Sequence, residues 1–85
     1  MNITFDEKAI DCLEKLPKDT GARILLKIIS TKKNPFHFFE RLSGSRNYKL
    51  RIGDYRVIAD IDKDIRIIFI GHRKNVYDQT RSSIV

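Results

Sequence analysis

The hydrophobic spacing of this 85-residue chain changes once, near residue 48, and that change limits the kinds of element it can form. Upstream, apolar residues recur three and four apart, the spacing of a helix that buries one stripe. Ala9, Cys12, Leu13 and Leu16 make one such stripe, and Ala22, Leu25, Leu26 and Ile29 make a second. Downstream the period is two: Tyr48, Leu50 and Ile52 alternate with Lys49 and Arg51, and Tyr55, Val57, Ala59 and Ile61 alternate with Arg56, Ile58 and Asp60. Alternation of this kind makes strands with one buried face. Helices and strands so patterned bury each other, and the expected fold is α+β: an N-terminal helical hairpin packed on a small, mainly antiparallel, twisted sheet. A chain this short buries only about 60–65% of the surface its unfolded form exposes. It can fill one core, so residues 1–85 are expected to be a single domain.

Local signals set the expected boundaries. Ile3–Phe5 reads as a short strand, with Asp6 placed to cap the helix that follows and Glu7 in its electropositive first turn. Pro17 ends the first helix and suits the start of the second. Pro35 drives Asn34 out of helical geometry and closes the second helix. A loop carrying Phe36, His37, Phe38, Phe39 and Leu42 is expected next, ending in the turn residues Ser43-Gly44-Ser45. Phe36, Phe38 and Phe39 read either as a lid over the core or as a partner-binding surface. A two-residue turn at Gly53-Asp54 sets Ile52 opposite Tyr55, Arg51 opposite Arg56 and Lys49 opposite Ile58. A second turn at Lys63-Asp64 would pair Asp62 with Ile65, Ile58 with Phe69 and Arg56 with Gly71. The same parity puts Arg73 and, in an extended chain, Tyr77 on the Arg56 face, with His72 on the other.

Charge narrows the function. The formal net charge is +6, and it is uneven: residues 1–40 hold seven Lys/Arg and six Asp/Glu, whereas residues 41–85 hold ten and five. A basic half of this kind suits a nucleic acid or an acidic protein partner. Cys12 is the single cysteine, which excludes an internal disulfide, and with only His37 and His72 beside it no zinc cluster is expected. Cys12 falls on the first apolar stripe and reads as core. No apolar run approaches the roughly 20 residues that span a bilayer, and the first residues lack the features of a signal peptide. A cytoplasmic protein with no membrane partner is expected.

The alternation from Tyr48 onward gathers Lys49, Arg51, Arg56 and Arg73 on one face. Like charges directly opposite each other on a strand pair cost up to ~1 kcal/mol. Such a cost is tolerable where an anion such as a phosphate is to be held.

These residues also carry a family likeness. Phe5-Asp6-Glu7-Lys8-Ala9, Leu42-Ser43-Gly44, the run from Tyr48 through Gly53-Asp54-Tyr55-Arg56-Val57 to Ile58, and Ile70-Gly71-His72-Arg73-Lys74-Asn75-Val76-Tyr77 resemble the RelE/ParE superfamily of toxins from toxin–antitoxin pairs. The RelE branch is the nearer likeness, and it runs through almost the whole chain. It implies a metal-independent, cofactor-free endoribonuclease, an mRNA interferase, that enters the ribosomal A site, cuts messenger RNA codons and inhibits translation. It further implies a cognate RelB-like antitoxin, with an acidic or amphipathic segment, that wraps and silences the toxin.

On this resemblance Lys49, Arg51, Arg56, Arg73 and Tyr77 are the catalytic set. Two positions depart from the family pattern: Arg51 stands where other members have lysine, and Ser43 where arginine often precedes the turn glycine. An arginine keeps its proton, so the first change weakens the case for a proton acceptor at that position. In the implied reaction the ribose 2′-hydroxyl attacks the adjacent phosphorus, leaving a 2′,3′-cyclic phosphate and a 5′-hydroxyl. Arg56 and Arg51 would clasp phosphoryl oxygens. Lys49 would take the 2′-hydroxyl proton, and Arg73 or Tyr77 would assist the leaving oxygen. Tyr77 could instead stack on a base. His72 belongs to the residue type that exchanges protons near neutrality and is a candidate auxiliary group, although its parity turns it from the cations. Two other functions stay open: a ParE-like toxin that poisons DNA gyrase, and a non-catalytic RNA-binding module.

Overall fold

The computed structural model describes residues 1–74. Its elements, in chain order, are β1 (Ile3–Phe5), α1 (Glu7–Glu14), α2 (Lys18–Ser30), α3 (Pro35–Phe38), β2 (Glu40–Arg41), β3 (Tyr48–Ile52), β4 (Tyr55–Ile61) and β5 (Ile65–His72). The strands form one sheet in the order β1-β5-β4-β3-β2. β1 runs parallel to β5, and the other pairs are antiparallel. The expected α+β arrangement of helices on a mainly antiparallel sheet is therefore the one observed.

The helices cover one face of the sheet. Leu50 and Ile52 of β3, Val57, Ala59 and Ile61 of β4, and Ile65, Ile67 and Ile70 of β5 are buried there with Ala9 of α1 and Ile24 and Ile28 of α2. In α1 the expected stripe is in place: Ala9 is fully buried, and Cys12, Leu13 and Leu16 pack partly buried against the core. Asp6 does precede α1, but its side chain makes no capping bond. Its carboxylate instead lies 3.6 Å from the Arg66 guanidinium.

α2 reverses the sequence expectation. The residues it buries are Ile24 and Ile28, followed by Thr31, while Leu25, Leu26 and Ile29 are exposed, Leu26 at 69%. Both sets have helical spacing, and only one side of a helix can face the sheet, so spacing alone does not choose between them. Burial of Thr31 leaves no orphan hydroxyl, because its Oγ1 donates to the Ile28 carbonyl at 2.6 Å.

The segment after α2 is more ordered than a phenylalanine-bearing loop. Pro35 sits at the first position of α3, where its missing N–H costs nothing, and Phe39 is buried. β2 follows, with Glu40 opposite Lys49 and Arg41 opposite Tyr48. The β2–β3 connection closes through an Asn47 carbonyl that accepts from Leu42 N–H at 2.9 Å, with Gly44 at φ 73°.

The β3–β4 register is the expected one, Ile52 opposite Tyr55 and Arg51 opposite Arg56. Of the two turn residues only Gly53 has positive φ, 57°, the glycine-first form of a two-residue hairpin turn. The β4–β5 turn differs by one residue, since Ile61 rather than Asp62 pairs with Ile65. A bulge restores the rest: Ala59 faces Ile67 while Ile58 faces Phe69, so Ile68 is the extra residue. Ile58–Phe69 and Arg56–Gly71 consequently pair as expected.

Candidate functional site

Residues directly opposite on paired strands share a face, so the registers place the charged groups. Glu40, Lys49, Ile58 and Phe69 form one row across β2, β3, β4 and β5. Arg51, Arg56 and Gly71 form the next. Both rows lie on the face turned away from the core. Lys49 is half-buried and Arg51 exposed, whereas Arg56 is only 5% exposed.

Arg56 is not a free surface cation. Its Nη1 donates to the Gly53 carbonyl at 2.7 Å and to the Tyr55 carbonyl at 2.9 Å, which ties the guanidinium to the hairpin turn. Its buried Nε has no hydrogen-bond partner. β5 ends at His72 and Arg73 is already helical, so the expected strand parity does not extend to it; Arg73 still meets the same turn, its backbone N–H donating to the Asp54 carbonyl at 2.8 Å, and it is exposed. Arg51, Arg56 and Arg73 are thus assembled around Gly53-Asp54.

Charge balance separates these arginines from their neighbour. Arg66 of β5 pairs with both Asp6 and Asp60, each at 3.6 Å. Among the described residues, Arg51, Arg56 and Arg73 make no ion pair. A guanidinium that is buried without a carboxylate and keeps an unsatisfied donor carries a cost of ~1–3 kcal/mol.

The other expected residues divide. His72 pairs with Tyr55 and packs against its ring, centroids 5.8 Å apart at 78°. Its Nδ1 accepts from the Lys74 N–H at 3.4 Å, and it stands apart from the Arg51–Arg56 row. The three phenylalanines do not act together: Phe39 is in the core, Phe38 lies under the Lys27 ammonium at 4.8 Å, and Phe36 is 56% exposed with its ring edge-on to Tyr48. Tyr77 lies outside the described residues.

Sequence reasoning missed Glu40 and His37. With Lys27, Phe38, Leu50, Lys49 and Arg51 they line a cleft of about 450 Å³ at the β2–β3 end of the sheet. Glu40 brings a carboxylate to the row of Lys49. The signal lay in the Ser43-Gly44-Ser45 turn, which makes a hairpin of the segments on either side and so sets Glu40 beside Lys49. Among the described residues no group of three His, Cys, Asp or Glu is placed to hold a metal ion, and no described helix is long and apolar enough to cross a membrane.

A small α+β domain that gathers three arginines about one hairpin turn has clear structural relatives. The toxin–antitoxin complex RelBE2 of Mycobacterium tuberculosis contains a chain that matches with a TM-score of 0.78 at 23% identity, covering 85% of this chain and 96% of that one. The isolated Escherichia coli RelE toxin matches at 0.71 and 21% identity, covering 99% and 98%. The archaeal RelE–RelB complex of Pyrococcus horikoshii matches at 0.69 and 28% identity, covering 85% and 93%. No curated protein sequence matches significantly. The family model of the ParE toxin of type II toxin–antitoxin systems matches residues 3–77. The chain belongs to this family, within the RelE/ParE superfamily of toxins, and its fold is that of RelE.

Proposed function

We propose that this toxin is a ribosome-dependent messenger RNA endonuclease of the cytoplasm, held in check by a RelB-like antitoxin. The observation that carries the reading is the meeting of Arg51, Arg56 and Arg73 at one turn with no ion pair to them among the described residues. Arg56 is anchored by the turn carbonyls, so its guanidinium is held in place before RNA arrives. Positioning of that kind lowers a barrier because no reorganisation is needed during reaction. Arg51 and Arg73, exposed on either side, complete the grip on the scissile phosphate, each through a planar fork that matches two oxygens.

Proton transfer falls to the neighbouring row. Lys49 and Glu40 face each other across β2 and β3, and to this pair we assign acceptance of the 2′-hydroxyl proton. Tyr77 or Arg73 assists the leaving 5′-oxygen. The antitoxin reading is supported by the structural relatives, several of which are RelE chains in complex with RelB.

A purified translation system programmed with one defined message tests this reading. Mapping of new 5′ ends should find cuts within codons, and Arg51→Ala and Arg73→Ala should each lower cutting about 10²–10³-fold with the melting temperature unchanged. Intact message would end the nuclease reading.

One observation favours a second reading, the family model's own name: a ParE-type toxin acts on DNA gyrase. The two branches share a fold, so fold does not choose between them. Message left whole while gyrase stalls on DNA would establish this alternative. Binding of RNA with neither effect would establish a non-catalytic module.

A further inference from the structure

Strand pairing between β2 and β3 stops one step short of where the hairpin could carry it. The register that sets Glu40 opposite Lys49 would next bring Phe38 opposite Arg51. Pro35 instead opens the turn of α3 and holds Phe38 in it, with the Phe39 N–H donating back to the Pro35 carbonyl at 2.8 Å. The phase of the sheet tells which groups this leaves open. Opposed residues of an antiparallel pair alternate between exchanging hydrogen bonds and exchanging none. The bond from the Arg73 N–H to the Asp54 carbonyl makes Arg56–Gly71, two residues on, a bonded pair of β4 and β5. Arg56 thus directs its backbone groups to β5, and Arg51–Arg56 is a non-bonded pair of β3 and β4. The Arg51 N–H and carbonyl point the other way, past the end of β2, and among the described residues no strand reaches them. On that side lies the cleft of about 450 Å³ that Arg51 lines with Lys49, Glu40 and His37.

We infer that this cleft is a nucleobase subsite, and that it takes the base on the 5′ side of the scissile linkage. The inference rests on the nuclease reading for its ligand and gives that reading a place where sequence is sensed. A base edge carries a donor and an acceptor side by side, and so do the N–H and carbonyl of a single extended residue. A peptide strand would need several such residues in a row, and only one is open here. The cleft is within the size range of small-molecule sites, about 300–1,000 Å³. His37 is exposed on α3, edge-on to Phe38 with centroids 4.9 Å apart at 89°, and the Lys27 ammonium caps the Phe38 ring in turn. An exposed imidazole so placed is a platform on which a base stacks.

The neighbours decide which base this is. Lys49 and Glu40 are assigned the 2′-hydroxyl proton, and that hydroxyl belongs to the ribose of the nucleotide 5′ of the cut, so the base beside them is its base. A carboxylate only accepts hydrogen bonds. Glu40 therefore favours a base with an exocyclic amino group, adenine, guanine or cytosine, over uracil, which presents carbonyl oxygens instead. One such contact discriminates by roughly 5- to 150-fold.

Two readouts on the full-length toxin test the inference. In the first, NMR signals are followed while the 3′-monophosphates of adenosine, guanosine, cytidine and uridine are added. The Arg51 amide and the His37 ring should shift at several-fold lower concentrations of the first three than of the uridine nucleotide. In the second, ribosomes carry messages that differ only in the base 5′ of the cut, and kcat/KM should fall roughly 5- to 150-fold when that base is uracil. His37→Ala should lower kcat/KM on the better messages by a similar factor with the melting temperature unchanged. His37→Phe should restore most of the loss, which it would not do if the imidazole moved a proton. Glu40→Gln should bring the ratio between messages towards one, whatever it does to the rate, because an amide also donates. Cutting that is indifferent to this base, or nucleotide shifts confined to the arginine side chains, would overturn the inference and leave the nuclease reading standing. Messages left whole while the base-dependent shifts at Arg51 and His37 are present would end the nuclease reading and support the base site. No shift at Arg51 or His37 with any of the four nucleotides overturns the inference in either case.

Discussion

Arg51→Glu should make the free toxin more stable and a much poorer nuclease. Arg51 and Arg56 are Cα partners on β3 and β4, a placement in which like charges cost about 0.2–1 kcal/mol and opposite charges contribute about as much. Charge reversal removes the first and adds the second, about 0.4–2 kcal/mol together. Arg51 is exposed, and water screening holds such pairs to the lower half of that range, about 0.4–1 kcal/mol. For a chain of this size 1 kcal/mol moves the melting temperature by about 4–8 °C, so a rise of about 2–8 °C is expected. Arg51→Gln removes only the repulsion and should give about half. The gain should fade near 1 M salt, where the screening length falls to about 3 Å. Loss of one forked phosphate contact should lower cutting about 10²–10³-fold. Thermal melts at low and high salt, beside 5′-end mapping of a defined message, read both quantities. A melting temperature below wild type at low salt, or cutting at the wild-type rate, would refute the claim that this pair holds unbalanced charge for phosphate.

Two further outcomes follow from the packing. Ile28→Ala should cost about 2–5 kcal/mol in urea unfolding, whereas Leu26→Ser should stay within about 0.5 kcal/mol; equal losses would mean that α2 buries the other stripe. Gly53→Ala forces a side chain into positive φ at a cost of about 1–2 kcal/mol. Because the Gly53 carbonyl holds Arg56 Nη1, it should also lower cutting by more than the unfolded fraction explains, which single-turnover rates at a temperature well below the melt would detect.

Much of the fold was legible because the chain spends its hydrophobicity in two clean periods. α1, the β3–β4 hairpin and its turn follow from spacing and from one glycine. The errors have separate causes. α2 has two apolar stripes, and the sequence signal for the outward one is the fuller of the two, four residues against two isoleucines. Spacing measures how well a stripe is formed and does not say which stripe meets the sheet. β2 is two residues long, too short to show a period at all, and Glu40 was lost with it. The β4–β5 turn was placed one residue late. The bulge at Ile68 cancelled that slip before it reached Arg56, and no rule of alternation marks a bulge in a run such as Ile65 to Ile70.

The candidate site was legible as a set of residue types but not as a set of roles. By parity alone Arg56 and Arg66 are alike: both alternate with core isoleucine, valine or alanine on the same side of the sheet. Register separates them. β5 brings Arg66 opposite Asp60 and within 3.6 Å of Asp6 as well, so its charge is settled inside the fold. Arg56 faces Arg51 on one side and Gly71 on the other, and turns inward to carbonyls that offset only part of its charge. One acidic substitution at residue 51 would have balanced it at little structural cost. The sheet neutralises Arg66 twice, whereas Arg51, Arg56 and Arg73 meet at one turn with no ion pair among the described residues, which is the charge pattern the proposed phosphate grip requires. Glu40, the carboxylate of the adjoining row among the described residues, lies opposite Lys49, one row from the arginine pair.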